Sequence, residues 1–395
     1  MTPFPGGRVR GSRVAVVGGS VAGCAAAIAL SRAGCAVTVF ERSRGVLADR
    51  GFGIGLARPA WREFVDAGYF AAATPALACR SRSWIVADPA AGEAGRLAWR
   101  QPLDLLLTNW GIVWRGLRER VPDGVGWRTA TVTGVRETGA GAEVTADGVT
   151  GRFDVVVGAD GYASRVRRIA GGGRPGYAGY ALWRGNYPAS RLGTPPAALH
   201  GAGVSVMFPG GHAVFYLMPG LPGTETRVNW AVYLPLPRPG GLVSLPPGRV
   251  GDGLAAELDR AVEAHFPAVW ARVVRATTRA ELALQPIYDL AVARYATGRL
   301  LLAGDAGALA RPHAGGGVTK AVQDALALEA GCREHRRWDA VLAGYDTSRT
   351  ANGAELVTLG RRLGAAQVGR TPDWAAMGDG EFRRWWRSTL DGPAR

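Results

Sequence analysis

The first stretch where residue types and spacing could do chemistry lies near the start of the chain. Residues 13–42 read RVAVVGGSVAGCAAAIALSRAGCAVTVFER. Val14–Val17 is an apolar, strand-sized run, and Gly18-Gly19-Ser20-Val21-Ala22-Gly23 turns the chain. An alanine-rich helix over Ala25–Ala33 stops at Gly34, and a second strand, Val37–Phe40, ends at Glu41. Such a βαβ unit binds a dinucleotide. Gly18 permits the tight turn and Gly23 lets helix and sheet approach. Ser20 replaces the middle glycine of the fingerprint, small enough to admit a pyrophosphate and able to donate a hydroxyl to it. The helix start at Val21, Ala22 and Gly23 offers free N–H groups and partial positive charge. Glu41 can accept from both ribose hydroxyls. The motif alone does not separate FAD from NAD.

Two distant segments favour FAD. In DVVVGADGYASRVRR (154–168) a strand ends in Gly158, followed by Asp160-Gly161 at the kind of strand end where a second phosphate or a nicotinamide passes. An ordinary Asp-Gly turn is the competing reading. In GRLLLAGDAGALARPHAGGGVTKAVQDALAL, beginning at Gly298, the strand Leu300–Ala303 closes in Gly304-Asp305. Pro312 and His313 then lead to Gly315-Gly316-Gly317 and a helix from about Val318. Asp305 is placed to hold a ribityl hydroxyl. The triple glycine brings backbone N–H groups to a flavin ring that carries negative charge on reduction.

These groups need a scaffold, and composition bounds it. The 395 residues suit two closely packed domains. No apolar run reaches the ~18–20 residues of a membrane span, and MTPFPGGRVRGSR does not read as a secretory signal. The net charge is +15, yet Lys320 is the single lysine, and the arginines are scattered apart from small clusters at Arg165–Arg168 and Arg383–Arg387. Nucleic-acid binding calls for a basic stripe with interleaved aromatics, so it is excluded. Cys24, Cys35, Cys79 and Cys332 fit neither a zinc pattern nor a disulfide framework. A cytoplasmic protein without a metal site is expected.

The three segments, in this order, resemble the group A flavoprotein aromatic hydroxylases, the family of p-hydroxybenzoate hydroxylase. GGSVAG, GFGIG at Gly51–Gly55 and YAGYALWRG at Tyr177–Gly185 are similar to bacterial 2,6-dihydroxypyridine 3-hydroxylase-like members. The similarity runs from about residue 13 to about 365. It implies a mixed α/β fold, with a Rossmann-like FAD-binding domain interleaved with an antiparallel-sheet substrate domain. It implies further cofactor contacts at Arg42, Gly53 (in a loop along the flavin), Arg115 and Val132. It also implies a small aromatic substrate, O2, and NADH or NADPH as a transient reductant, since no second dinucleotide fingerprint exists. An epoxidase, a Baeyer–Villiger-type oxygenase, another flavin oxidoreductase and a non-catalytic flavin-binding protein remain the alternatives.

The expected division is FAD-binding parts over 1–75, 106–175 and 286–365, substrate-domain strands over 76–105 and 176–285, and a helical tail over 366–395. Short segments from Tyr180 to about Tyr233 alternate apolar and polar residues, as strands do. Trp183, Phe208, Phe215, Tyr216 and Trp230, with Tyr233, are the candidate pocket residues, of which alternation puts at best half on the pocket face. His313 is the candidate catalytic group, able by type to bond a phenolic substrate or take its proton. Pro235–Pro247 is the most loop-like stretch. The tail, with Trp385 and Trp386, is read as packing on the body or on a second copy in a homodimer.

Overall fold

The computed structural model describes residues 7–45, 47, 51–139, 141–237 and 244–392. The chain opens with β1 (Arg13–Val17), α1 (Val21–Arg32), β2 (Ala36–Glu41), β3 (Gly53–Ala57) and α2 (Arg58–Asp66). Next come β4 (Leu77–Val86), β5 (Arg96–Asn109), α3 (Trp110–Arg120), β6 (Gly126–Thr129), β7 (Val132–Thr138), β8 (Gly141–Ala146), β9 (Val149–Phe153), β10 (Val155–Gly158) and α4 (Arg165–Ile169). The second half begins with β11 (Gly176–Pro188), β12 (Ala202–Phe208), β13 (Gly211–Met218), β14 (Arg227–Pro235), α5 (Asp252–His265) and α6 (Ala268–Arg275). It ends with β15 (Ala283–Ala291), β16 (Ala296–Thr297), β17 (Leu300–Leu302), β18 (Ala308–Leu309), α7 (Gly317–Glu334), α8 (Trp338–Gly364) and α9 (Asp379–Asp391). Part of the loop-like Pro235–Pro247 stretch, 238–243, lies outside the described residues.

The mixed α/β fold expected from the sequence is present. A six-stranded sheet runs β16-β17-β10-β1-β2-β6, parallel except for β16. Its strands are continuous apolar runs because helices cover them; α1 is buried from Val21 to Leu30. Val17 pairs with Gly158 and Gly158 with Leu302, so β1, β10 and β17 end side by side. The three glycine-bearing segments therefore emerge at one edge of one sheet, where α/β proteins place ligands.

The second sheet has nine strands, β18-β15-β11-β14-β13-β12-β4-β5-β3, with β12 and β4 its one parallel pair. Gly53–Gly55 of the GFGIG segment open its edge strand β3, paired with β5, rather than forming a loop, and Gly51 and Phe52 lead into it. Alternation gives this sheet two unlike faces. One is apolar and packs on α5 and α6 through Trp183, Tyr187, Phe215, Trp230 and Trp270. The other carries arginines, histidines and tyrosines and faces the loop of His313. β7, β8 and β9 form a separate small sheet.

The tail packs on the body. Arg96 donates to the carbonyls of Trp374, Ala375 and Met377, and Trp374 and Phe382 join Trp84 and Trp99 in a separate apolar cluster. Between α8 and this tail lies a π-helical turn, Ala365–Gly369. Among the described residues no helix is long and apolar enough to cross a membrane.

Candidate active site

The fingerprint loop is built from tight backbone contacts. Gly18 has φ +103°, and a Cβ there would strike the Ala159 carbonyl. A Cβ at Gly23 would fall on the Gly18 carbonyl, so this glycine is required by the loop itself as much as by the sheet. Gly19, not singled out in the sequence, donates its N–H to Glu41 at 2.7 Å and accepts from Trp114 Nε1 at 2.9 Å. Glu41 also accepts from the Ser43 N–H, so each carboxylate oxygen already has one protein partner and keeps one lone pair for a ribose. Ser20 caps α1 without a side-chain hydrogen bond, and no acidic residue occupies the first turn. An anion there meets unused donors at Ser20, Val21 and Ala22. Trp127, with Arg118 stacked 4.0 Å from its ring centroid, lies against Gly19 and Glu41.

The other expected contacts separate. Arg115 is half-buried on α3, one residue beyond Trp114, and Arg42 is exposed beside Glu41. Val132 starts β7 with its side chain in the core and offers no side chain to the groove. Asp160 is a correction: its carboxylate accepts from Ser164 Oγ and from the N–H groups of Arg165 and Val166. It braces the start of α4, whose N-cap is Ser164, and Gly161 supplies the left-handed residue of the Asp-Gly turn at φ +74°. What joins this segment to the next is Arg167, 1% exposed, which reaches the carbonyls of Gly161, Tyr162, Gly173, Asp305 and Ala306.

Gly304 sits at φ +60° with its missing Cβ 2.6 Å from the Ala22 methyl, so the third segment touches the fingerprint helix. A buried network fixes it: Asp324 accepts from the Gly304 N–H at 2.8 Å, Lys320 Nζ donates to the Gly304 carbonyl at 2.5 Å, and Arg349 Nε donates to Asp324 at 2.6 Å. Asp305 next to it opens onto the groove, and its carboxylate has no hydrogen-bond partner among the described residues. Desolvation raises its pKa, and the charge of Lys320 opposes that rise. The unpartnered carboxylate beside a helix start is what a ribityl hydroxyl would fill, so the residues fit FAD. Asp305→Ala is expected to weaken FAD binding by roughly 1.5–3 kcal/mol. Titrating FAD into stripped protein checks this, and an unchanged Kd removes the role.

After Pro312 and His313, Gly315 turns left-handed at φ +61°. A Cβ at Gly316 would come within 2.7 Å of Leu356 on α8, whereas the space around Gly317 is open. Gly316 caps α7 without a side chain, leaving first-turn N–H groups for a ring acceptor.

Opposite this loop stands the polar face of the second sheet. Tyr216, on the expected side, lies 2.5 Å from where a Gly53 Cβ would be, which explains that glycine. Asn229 accepts from the Gly53 N–H at 2.8 Å. Trp183, Phe208, Phe215 and Trp230 are corrections. They lie on the other face, where Trp183 donates to the Leu254 carbonyl and Trp230 to Thr277 Oγ1. The large apolar rings went where two helices had to be packed, and the pocket took the polar residues between them. Tyr233 does face the pocket: its ring stacks on His212 at 4.4 Å between centroids and meets His313 at 4.3 Å.

His313 Nδ1 is 3.4 Å from the Tyr180 hydroxyl, and its Nε2 is buried without a partner, as is His212 Nδ1. Burial, then the charge of Arg311, pushes His313 down to about 3. Burial followed by the neighbouring His313 and Arg82 holds His212 well below the usual range. Both imidazoles are neutral at physiological pH. His313 is therefore suited to a hydrogen bond and poorly suited to be a base, contrary to the wider role its type allowed. Arg82 and Arg184 on this face were not found in the sequence reading. The signal was present in ALWRGNY, an arginine inside an otherwise buried strand.

Comparison with known proteins agrees with this geometry. The family model for pyridine nucleotide-disulphide oxidoreductases matches residues 13–59, and that for the FAD binding domain matches residues 246–359. A 3-amino-4-hydroxybenzoate 2-monooxygenase of Streptomyces platensis is 32% identical over 328 residues, covering 80% of this chain and 78% of its own. The 2,6-dihydroxypyridine 3-monooxygenase of Paenarthrobacter nicotinovorans is 28% identical over 335 residues, covering 80% and 81%. Among solved structures, 2,6-dihydroxypyridine-3-hydroxylase from Arthrobacter nicotinovorans superposes with a TM-score of 0.81 at 24% identity, over 93% of this chain and 96% of that one. HpxO of Klebsiella pneumoniae, complexed with FAD and uric acid, gives 0.77 at 22%, over 96% and 93%. With its fingerprint, its FAD-binding segments and these relatives, the chain belongs to the FAD-dependent aromatic monooxygenases.

Proposed function

We propose that this monooxygenase hydroxylates a small, electron-rich aromatic or heteroaromatic ring held between the His313 loop and the polar face of the second sheet, with NADH or NADPH as reductant. The observation that carries the reading is the buried, unpartnered Nε2 of His313, beside the glycine cradle and against Tyr233. Bound FAD supplies the hydride acceptor and the centre at which O2 is activated. The rest is the work of this chain's own residues. The Gly18–Gly23 loop and the start of α1 would hold the pyrophosphate, Asp305 the ribityl chain, and the N–H groups after Gly315 the charged edge of the ring. His313 Nε2 would bond the substrate's hydroxyl or amino group and so fix which carbon is presented. Tyr180, with its hydroxyl pushed up to about 12 chiefly by burial, stays protonated behind His313. The π-helical turn at Gln367 packs against His212 through a backbone hydrogen bond. A cytoplasmic setting, where NAD(P)H is available, belongs to this reading.

FAD-loaded protein is expected to oxidise NADH or NADPH faster when hydroxybenzoates, aminophenols or hydroxypyridines of fitting shape are added. With labelled dioxygen, one labelled atom enters the product and the other leaves as water. In the same assay His313→Ala lowers kcat while FAD content stays stoichiometric. New oxygen derived from water, or turnover that proceeds equally well without O2, rules the reading out.

A further inference from the structure

The hydroxyl of Tyr180, behind His313, has a neighbour on each side. On one side lies the Arg311 guanidinium, which can only donate to it. Asp289 fixes that cation: it is 5% exposed and accepts from Arg311 Nε at 2.7 Å and from Arg361 Nε at 2.8 Å. Gly364 on α8 leaves room for the arrangement, since a Cβ there would strike the Tyr180 hydroxyl and crowd Arg311 Nη1. With Arg311 donating, the phenol's own proton must go to the other side. There His313 Nδ1 lies at 3.4 Å, and among the described residues no other acceptor is within hydrogen-bond distance. Nδ1 keeps its lone pair, so in the neutral imidazole the proton sits on Nε2, the buried nitrogen without a partner. A proton on Nδ1 would set two donors against each other and leave the Tyr180 O–H buried without an acceptor.

His212 is fixed in the opposite sense. Its hydrogen bond to the backbone of Gln367 favours the protonated ring, so it runs from an imidazole N–H to the carbonyl. The nitrogen left over, Nδ1, is buried without a partner and holds the lone pair of a neutral ring. The two imidazoles lie 5.0 Å apart between centroids, and both lie against Tyr233. One unsatisfied donor and one unsatisfied acceptor thus stand side by side, close enough for one small polar group to reach both. A ring hydroxyl donates and accepts at a single atom, and a lactam edge does so at two adjacent ones. An aromatic amine is a donor with little acceptor strength, and a carboxylate has no proton to give. Either of these leaves one imidazole nitrogen unsatisfied.

We propose that His313 and His212 form a tautomer-locked pair, one donor and one acceptor, that recognises a neutral ring hydroxyl or lactam edge, with Tyr180, Arg311 and Asp289 as positioning residues acting through His313. The place of the pair in the substrate pocket rests on the monooxygenase reading, whereas the tautomers rest on the protein's own hydrogen bonds. Of the two groups His313 could bond, hydroxyl and amino, the pair selects the hydroxyl.

The test reads the tautomers by NMR, from long-range proton–nitrogen correlations of oxidised, FAD-loaded protein carrying 15N-histidine. His313→Gln and His212→Gln identify the two rings among the five histidines. Both are expected to be protonated at Nε2 alone from pH 6 to pH 8. Protonation at Nδ1, an imidazolium or an averaged mixture in either ring overturns the pair. Arg311→Met frees the Tyr180 hydroxyl to accept, so His313 should become a mixture of tautomers, and Arg311→Lys should restore the single one. If Arg311→Met does not fold, Tyr180→Phe, which removes the proton given to Nδ1, carries this arm. A His313 that stays protonated at Nε2 alone in the variant removes the positioning role. The ligand is read on the same oxidised protein through flavin absorbance, with phenol, aniline and fluorobenzene as uncharged one-ring probes. Phenol should bind roughly tenfold or more tighter than either, the cost of leaving about one buried nitrogen unsatisfied. Phenol that binds no tighter than the others, or not at all, overturns the ligand assignment. Because nothing is turned over, a failed hydroxylation assay leaves these results standing, and hydroxylation by a protein with the other tautomers defeats the pair alone.

Discussion

Gly23→Leu is expected to yield a folded protein that purifies without colour. The side chain has nowhere to go, because its Cβ already falls on the Gly18 carbonyl. That carbonyl cannot swing aside. Gly18 is held at φ +103° against Ala159, and its N–H donates to the Phe40 carbonyl at 2.8 Å. Nor can the helix retreat, since α1 is buried from Val21 to Leu30 between the sheet and α7. The strain falls on the loop, which must open where the pyrophosphate is to be gripped. Overpacking of this kind costs roughly 1–3 kcal/mol. Here it is paid mostly from cofactor affinity, so FAD binding should weaken by about tenfold to a hundredfold or more. FAD content after gel filtration and titration of FAD into stripped protein measure it, with Gly23→Ala as an intermediate step. A Gly23→Leu protein that keeps one FAD per chain shows that the loop has been misunderstood.

The glycine-bearing segments were legible in the sequence because their constraints are local. A positive φ or a close backbone approach leaves glycine at a fixed offset from a strand end, as at Gly18, Gly23 and Gly304. Arg167 was not legible. In RVRRI it reads as one more solvated charge, and nothing in the spacing says that carbonyls from two glycine loops will converge on it. The substrate sheet was half legible. Period-two alternation separates Trp183 from Arg184 and Phe215 from Tyr216, but it does not say which face meets the flavin. That is decided by α5 and α6, which follow later in the chain and claim the apolar face through Leu258, Val262 and Trp270. Richness in aromatic residues was therefore the wrong guide to the pocket. The better guide was a cation placed where a buried strand has no reason to carry one.

Burial should also decide what an ion pair is worth in this arginine-rich chain. Arg349→Leu and Arg279→Leu each remove the arginine of an Arg–carboxylate pair of ordinary length, 2.6 Å to Asp324 and 2.9 Å to Asp259. The Arg349 and Asp324 side chains are 6% and 0% exposed, those of Arg279 and Asp259 55% and 54%. Losing the surface pair is expected to change stability by about 0–1 kcal/mol. Losing Arg349 strands a carboxylate that water cannot reach. Lys320 stays 3.4 Å away and the Gly304 N–H still donates, so the loss should lie near the lower end of the roughly 3–5 kcal/mol range for a broken buried pair. In FAD-stripped protein, where cofactor binding cannot mask the effect, Tm should fall by several degrees for Arg349→Leu and hardly at all for Arg279→Leu. The same variant should bind FAD more weakly, because Asp324 holds the Gly304 backbone that aims Asp305. Equal Tm values for the two variants would mean that Lys320 alone satisfies Asp324. A lowered Tm with unchanged FAD affinity would mean that the network stabilises the fold without positioning the cofactor.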